Sequence, residues 1–295
     1  MRNQIMRVAA LLIAVLSVPV LAAEWTTPVP VGSGINTQYN DWTPYLSYDG
    51  LSLYFSRDYS GSAYARIFEA KRSQPSGAFT SVSQVLSTAG HNVYSPWVSP
   101  DNLRMYYHEE SDWQIKVSQR ASVSDPWPQG TAVSGLSSSS ICSPSLSSDE
   151  LTIVFNNPNV GGWDMYMATR PNKDSAFGNI RSLSEINTAG YECRPFLSPD
   201  ALSIYYGGGS STAILEATRL SLNDPFGNVQ HLSAFDMPGT WSNHPAISSD
   251  GTAFYFVSPG TGGNHDIYVS YLVPEPATLL LLGLGIVALK SKRKS

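Results

Sequence analysis

Short runs of alternating apolar and polar residues fill most of the chain, and they recur with a period of about fifty residues. Each period begins with a proline, which is followed by an apolar residue two positions on, a serine at three and an aspartate at five. A run of β-branched and aromatic residues comes next. The prolines that begin the periods are Pro44, Pro96, Pro144, Pro195 and Pro245.

This pattern predicts a β-hairpin in every period. The aspartate lies between two strand-like runs, and in two periods glycine follows it, as Asp49-Gly50 and Asp250-Gly251. Asp-Gly between such runs is the strongest short-range signal for a tight hairpin turn. A short carboxylate bonds to nearby backbone N–H groups, so we interpret the repeated aspartates as residues that hold the turn rather than as catalytic acids.

Two further strands complete each period. The third begins at positions such as Trp113, Trp163 and His265, and the fourth is led by an aromatic residue such as Phe79 or Trp127. The repeats show no 3.6-residue helical periodicity. Four antiparallel strands per period predict an all-β fold, a five-bladed β-propeller.

The two ends of the repeat region predict that the ring closes. The last period lacks an aromatic-led fourth strand, and a matching strand that starts near Trp25 precedes the first period. We therefore expect the N-terminal strand to complete the last blade. Closure of this kind removes sheet edges that would otherwise be open to aggregation.

The period resembles the WD40-like PD40 repeat of TolB-type propellers. The resemblance is carried by the Pro-x-x-Ser-x-Asp core, by the Gly-Gly segments at 161–166 and 262–268, and by Ile-Asn-Thr at 35–37 and 186–188. It covers residues 25 to 272 and implies a propeller fold. It implies no particular activity, because the shared residues are structural and the family's members bind diverse partners.

The first residues of the chain predict export. Residues 1–23 carry Arg2 and Arg7, then an apolar run, then the small residues Ala22 and Ala23. This order is typical of a cleaved secretory signal peptide. An uncleaved N-terminal anchor is the alternative, although the apolar run is short for a membrane span.

The last residues resemble a sorting signal. Pro274, Glu275 and Pro276 precede the apolar run 277–289, which a basic cluster follows. This order resembles the PEP-CTERM signal of Gram-negative bacteria. The resemblance implies transient membrane insertion through 277–289, processing by an exosortase, and delivery to the cell surface or the extracellular space. A plain tail anchor is the alternative.

These observations divide the chain into a signal peptide (1–23), a propeller (24–272) and a sorting segment (273–295). The formal net charge of the whole chain is −5, and the flanking segments are basic, so the propeller itself is more acidic. An acidic domain is a poor partner for nucleic acid. The sequence has no nucleophile elbow, P-loop or zinc-ligand spacing, and we expect no cofactor and no metal.

The two cysteines occupy the same position in neighbouring periods. Cys142 and Cys193 each lie two residues before a proline. Export permits a disulfide between them, which would contribute roughly 4 kcal/mol in the chain-entropy model. The alternative is two separate thiols, because equivalent positions on neighbouring strands can exceed the ~7 Å limit between Cα atoms.

Candidate chemistry lies where the periods differ, just before each proline. There the chain places residues expected at one mouth of the ring: Asp41, Trp42, Tyr94, Glu192, Arg194 and His244. Aromatic rings and carboxylates together are typical of sugar binding. We therefore predict an exported binding or scaffold module for extracellular polysaccharide or another surface protein. One alternative is a glycan-cleaving enzyme that uses Asp41 and Glu192, and another is ordinary packing at strand ends.

Overall fold

The computed structural model describes residues 24–32, 34–59, 64–136, 140–158, 162–208 and 213–274. The expected signal peptide, Glu275, Pro276 and the apolar run 277–289 lie outside these residues. Within them, the strands form four-stranded antiparallel sheets arranged as five blades, which confirms the predicted propeller. No helix in the described part of the chain is long and apolar enough to cross a membrane.

The strands are short, and most have two to seven residues. In chain order they are β1 (Val29–Pro30), β2 (Asn40–Leu46), β3 (Ser52–Asp58), β4 (Arg66–Lys71), β5 (Ser81–Leu86), β6 (Val93–Val98), β7 (Arg104–Glu109), β8 (Gln114–Gln119), β9 (Thr131–Ala132), β10 (Cys142–Leu146), β11 (Thr152–Asn157), β12 (Asp164–Thr169), β13 (Gly178–Ser182), β14 (Cys193–Leu197), β15 (Ser203–Gly208), β16 (Ala213–Thr218), β17 (Gly227–His231), β18 (Asn243–Ile247), β19 (Ala253–Pro259) and β20 (His265–Tyr271). A short 3-10 turn, Ser233–Phe235, precedes β18.

Blades 1 to 4 each consist of four consecutive strands, from β2–β5 to β14–β17, with the first strand of each blade innermost. Blade 5 joins the two ends of the chain, because β1 pairs with β20 beside β19 and β18. Val29 pairs with Val269, and Trp25 forms a bridge with Leu272. The predicted closure by the N-terminal strand is therefore confirmed.

The repeated serine and aspartate hold the turn between the first two strands of each blade. In blade 1, the Ser47 hydroxyl donates to Asp49 Oδ1 (2.6 Å), and the Leu51 N–H donates to the same oxygen (3.0 Å). The Ser52 N–H donates to Ser47 Oγ. The other blades repeat the serine–aspartate bond and the backbone bond to the aspartate. The repeated acids are structural, as the hairpin pattern predicts.

In each of blades 1 to 4, an arginine at the end of the third strand contacts both the fourth strand and the turn between the first two strands. Its guanidinium lies over the aromatic ring that leads the fourth strand, at 4.0 to 4.7 Å from the ring centroid. Its Nε donates to a carbonyl of the turn between the first two strands. The pairs are Arg72–Phe79, Arg120–Trp127, Arg170–Phe177 and Arg219–Phe226. We call this arrangement the arginine clasp.

The residue before each repeat proline has a left-handed backbone. At this point the innermost strand slips register against its neighbour, for example between Trp42 and Tyr45. A non-glycine residue in this region costs roughly 1–2 kcal/mol, so the surrounding blade must hold it in place. The bulge turns the side chain toward the ring axis. These bulge residues are Thr43 (φ 50°), Ser95 (56°), Ser143 (53°), Arg194 (56°) and His244 (55°).

Candidate functional site

The bulge residues and the repeat prolines line a narrow channel of about 40 Å³ along the ring axis. At the end where the innermost strands begin, the channel widens into a cavity of about 230 Å³, which we call the mouth cavity. Three of the bulge residues carry hydroxyl groups, whereas Arg194 and His244 break the pattern. The cavity is therefore asymmetric, although the blades around it are alike.

Four of the six residues predicted for this mouth do line the cavity. Trp42 and Tyr94 are the residues just before the bulge in blades 1 and 2, and Arg194 and His244 are bulge residues of blades 4 and 5. The structure thus brings together side chains that are about two hundred residues apart in the sequence.

The other two predicted residues do not line the cavity. Asp41 is fully buried and accepts hydrogen bonds from the Thr37 N–H (3.0 Å), the Thr37 hydroxyl (3.1 Å) and Arg57 Nε (2.7 Å). Glu192 is buried too, and accepts from the Thr188 N–H (2.9 Å) and hydroxyl (2.6 Å). Each acid anchors the Ile-Asn-Thr loop that leads into its blade.

This placement corrects the expected role of Asp41 and Glu192. Burial raises the pKa of Asp41 to about 6, although Arg57 and Thr37 act to lower it. Both carboxylates are committed to their own loops, and neither faces the cavity where a substrate would lie. The glycan-cleaving alternative therefore loses the two acids assigned to it. The third residue before each proline points into the blade, and only the two residues nearest the proline reach the mouth.

Nine further residues line the mouth cavity. Four of them lie one or two residues before a repeat proline (Thr43, Ser95, Cys142 and Ser143), and the other five were missed by the sequence interpretation. Three lie at or near the end of the second strand, and two precede the third strand. The strand pairing of the hairpin could have located the residues at the end of the second strand. Asn40 pairs with Asp58, so the end of β3 lies beside the start of β2. The missed residues are Asp58, His108, Glu110, Trp113 and Trp163.

Aromatic rings form much of the cavity wall. Trp113 (φ 52°) and Trp163 (φ 85°) both have left-handed backbones, which is rare for bulky residues and typical of functional sites. Trp113 is 37% exposed and packs against His108 at 5.2 Å. Trp42 packs against His244 at 5.0 Å. Trp42 and Trp113 are each packed against a histidine, and all three tryptophans belong to the cavity lining.

The charged residues lie on different blades. Between blades 1 and 2, the Tyr94 hydroxyl donates to Asp58 Oδ2 (3.4 Å), and Asn92 Nδ2 donates to Glu110 Oε2 (2.7 Å). Burial and the two carboxylates raise the pKa of Tyr94, so it stays protonated. On blade 4, Arg194 Nη1 donates to the Sγ atom of the preceding cysteine (3.2 Å). We call these the acidic side and the basic side of the cavity.

Two buried histidines complete the lining. His108 is 4% exposed and His244 is 6% exposed. Burial lowers the pKa of His108 to about 4, and it lowers the pKa of His244 well below its usual value, so both rings are neutral at pH 7. Within the described residues, His108 Nε2 and His244 Nδ1 have no hydrogen-bond partner. Such atoms are costly to bury unless a ligand or water satisfies them.

The two cysteines are free thiols in the structure. Cys193 Sγ accepts hydrogen bonds from Arg194 and Asn243, which lie beside it at the starts of β14 and β18. Burial raises the pKa of Cys142 to about 12, which leaves it a poor nucleophile. No group of three His, Cys, Asp or Glu residues in the described part of the chain could hold a metal ion.

Comparisons with known proteins identify the C-terminal segment. Residues 272–294 match the family model of the PEP-CTERM protein-sorting motif. No curated protein sequence matches the chain. PEP-CTERM signals are processed by exosortases, and the match supports an exosortase as the partner of this segment.

Solved structures with the same fold share little sequence with the chain. TolB from Acinetobacter baumannii is 16% identical, with a TM-score of 0.50, and the match covers 79% of this chain and 54% of TolB. A thermostable family-43 glycoside hydrolase is 14% identical (TM-score 0.56; 85% and 98% covered). The alpha-L-arabinofuranosidase from Podospora anserina is 11% identical (TM-score 0.53; 86% and 98% covered). At such identities the likeness shows the fold alone.

The sorting motif and the propeller architecture together give the location and the fold of the protein. The chain spans about half the length of TolB, and the likeness lies in the propeller. The sorting motif indicates passage through the membrane of a Gram-negative bacterium to the cell surface or the extracellular space. The protein is an exported five-bladed β-propeller, similar in fold to TolB, that carries a PEP-CTERM sorting motif at its C-terminal end.

Proposed function

We propose that the protein is a saccharide-binding module of the cell surface, and that the mouth cavity holds one sugar unit of an extracellular polysaccharide. The observation that carries this proposal is the lining of that cavity. Four aromatic side chains share it with carboxylates, a guanidinium and two neutral imidazoles; the aromatic residues are Trp42, Tyr94, Trp113 and Trp163.

The chemistry of this lining matches the two kinds of surface on a sugar. The C–H faces of a sugar ring are apolar and pack against flat aromatic rings, and the hydroxyl groups bond to donors and acceptors around them. Glu110 supplies acceptors and Arg194 supplies donors, and the neutral imidazoles of His108 and His244 belong to the same lining. At about 230 Å³ the cavity is smaller than a typical drug-sized pocket of roughly 300–1,000 Å³.

Binding is favoured over the two other functions considered. Hydrolysis by Asp41 and Glu192 is disfavoured because both carboxylates are bonded to their own loops and lie outside the cavity lining. Docking of a second surface protein is disfavoured because the site is concave and small, whereas stable protein interfaces bury about 1,600 Å².

The test is a panel of defined oligosaccharides, made of hexoses, hexosamines, N-acetylhexosamines and uronic acids, titrated into the purified protein by calorimetry. We expect at least one to bind. Trp113→Ala should weaken that binding about tenfold, because one aromatic face is lost. Trp113 is partly exposed, so the fold should tolerate the change. Tyr48→Ala is the matched control, because Tyr48 is an exposed aromatic residue outside the mouth cavity.

Two results would contradict the proposal. One is the absence of binding to every oligosaccharide of the panel, and the other is an equal loss of affinity in both variants. Release of new reducing ends during the titration would show hydrolysis and would replace binding with catalysis as the function of the cavity.

A further inference from the structure

The acidic side of the mouth cavity concentrates negative charge at one point. The Tyr94 hydroxyl donates to Asp58, and the carboxylates of both Asp58 and Glu110 act on the pKa of Tyr94. Glu110 is held in place by Asn92, a neutral donor. The cavity lining therefore carries two carboxylates against one guanidinium, that of Arg194.

Arg194 does not neutralise Glu110. No ion pair among the described residues joins the two, and Arg194 Nη1 instead donates to Cys193 Sγ. The charge of Arg194 acts on His244 of blade 5, and it also acts on the pKa of Cys142, where Glu110 acts in the opposite direction. In the lining, Asp58 and Glu110 lie on blades 1 and 2 and Arg194 lies on blade 4, so a ligand that fits the cavity has its cationic part toward blades 1 and 2.

A buried, unpartnered nitrogen marks the same side. His108 pairs with Tyr94 across β6 and β7, and its Nε2 has no partner among the described residues. The ring is neutral at pH 7, because burial lowers its pKa to about 4, so it adds no positive charge that would repel a cation. A neutral imidazole nitrogen can accept a hydrogen bond from an ammonium group or a hydroxyl.

The aromatic residue beside His108 also suits a cation. Trp113 packs against the imidazole of His108 at 5.2 Å and is part of the cavity lining. An ammonium group within about 6 Å of an indole centroid is attracted by the ring, and tryptophan is the strongest partner of this kind. Carboxylates, an unpartnered imidazole and an indole therefore lie on the same side of the cavity lining.

We propose that the mouth cavity selects a sugar unit with a free ammonium group, that is, a hexosamine without its N-acetyl group. The ammonium group lies between Asp58, Glu110 and the Trp113 ring, and the hydroxyl groups on the far side of the sugar bond to Arg194. This inference rests on the proposed saccharide-binding function and adds the chemical class of the ligand.

The experiment compares four tetrasaccharides by calorimetry: glucosamine, N-acetylglucosamine, glucose and galacturonate, at about pH 6, where a sugar amine is protonated. We expect the glucosamine tetrasaccharide to bind about tenfold more tightly than the acetylated one, which is the contribution of a charge-assisted hydrogen bond. Glu110→Gln should reduce this ratio to about one, because glutamine keeps the contact with Asn92 but loses the charge.

The neighbouring acid provides the control. Glu109→Gln changes the net charge equally and at similar burial, but Glu109 is outside the cavity lining, so the ratio should stay near ten. Asp58→Asn is a second cavity variant, in case Glu110→Gln fails to fold, and it should also lower the ratio.

The outcomes separate the two proposals. Equal or tighter binding of the acetylated, neutral or acidic tetrasaccharide overturns the preference for an ammonium group and leaves saccharide binding standing. The same holds if Glu109→Gln lowers the ratio as much as Glu110→Gln, because the effect would then be long-range charge. Failure of all four to bind, together with failure of the wider panel, removes the saccharide function itself.

Discussion

Glu150 should be the most sensitive charged residue of the propeller. It follows the turn aspartate of blade 3, and its side chain is fully buried between blades 2 and 3. Its carboxylate accepts from Arg104 Nε (2.6 Å) and Nη2 (2.5 Å), and Lys173 Nζ lies at 2.9 Å. Arg170 Nη2 lies at 3.7 Å. One buried carboxylate therefore balances three cations. Glu150→Gln removes the acidic partner of Arg170 and Lys173 and leaves Arg104 only the partly exposed Asp101, at 3.6 Å.

The expected loss can be worked from the exposure of the three partners. Removing one member of a buried ion pair costs about 3–5 kcal/mol. The side chains of Arg104 and Arg170 are 18% and 7% exposed, so they bear this cost, whereas Lys173 is 44% exposed and adds little. We expect Glu150→Gln to lower the free energy of unfolding by about 3 kcal/mol at pH 7.

The pH dependence of the free energy of unfolding provides a second, independent check of the role of Glu150. Burial acts to raise the pKa of Glu150, but hydrogen bonds from Arg104 and Lys173 prevail and hold it below its usual 4.5. A lowered carboxyl pKa stabilises the fold fully above pH 4.5, and this stabilisation is lost as the pH falls through the lower folded-state value. The gap between wild type and Glu150→Gln should therefore narrow in acid.

Urea unfolding followed by tryptophan fluorescence, at about pH 7 and about pH 3, measures both effects. The control is Glu185→Gln, which breaks the partly exposed pair with Arg181 (2.9 Å) and should cost less than about 1 kcal/mol. A loss below about 1 kcal/mol for Glu150→Gln, or a gap that does not narrow in acid, would refute the reasoning.

Two further predictions concern the arginine clasp and the thiols. Arg219→Ala removes a guanidinium that lies 4.5 Å from the Phe226 centroid and donates to the Ala201 carbonyl. It should lower the free energy of unfolding by about 2 kcal/mol in the same urea assay. No loss would show that the arginine clasp does not stabilise the fold. In a thiol-reagent assay, Cys142 and Cys193 should be unreactive in the native protein, and both should react in denaturant. Rapid labelling of the native protein would contradict their burial. Absence of labelling in the denatured, unreduced protein would show that they form a disulfide.

The blade architecture could be predicted from the sequence because its determinants are local. The serine and the aspartate that form the hairpin turn are two residues apart, and the missing fourth strand of the last period points directly to Trp25. The arginine clasp could also have been found, since an arginine ends the third strand in blades 1 to 4. It was missed because its aromatic partner lies seven residues away, beyond the next turn.

The candidate site could be predicted only in part because it depends on non-local register. Trp42 and Tyr94 precede a proline, so counting back from it located them. Asp58 and Glu110 reach the cavity only because the hairpin brings the end of one strand beside the start of another. Asp41 was misplaced for a related reason: beyond the left-handed bulge residue, its side chain turns into the blade, where it binds Thr37 and Arg57.

The composite fifth blade has a consequence for the order of assembly. Blades 1 to 4 are each made from one continuous stretch, so each can form soon after its own strands are available. β1 is the first strand of the chain and its partner β20 is the last. The segment before β1 also contacts β20, as between Thr26 and Tyr271, which are 245 residues apart. Contacts so distant in sequence form slowly. The ring therefore stays an open arc until β20 is available to pair with β1, so the first strand of the chain waits for the last before its blade is complete.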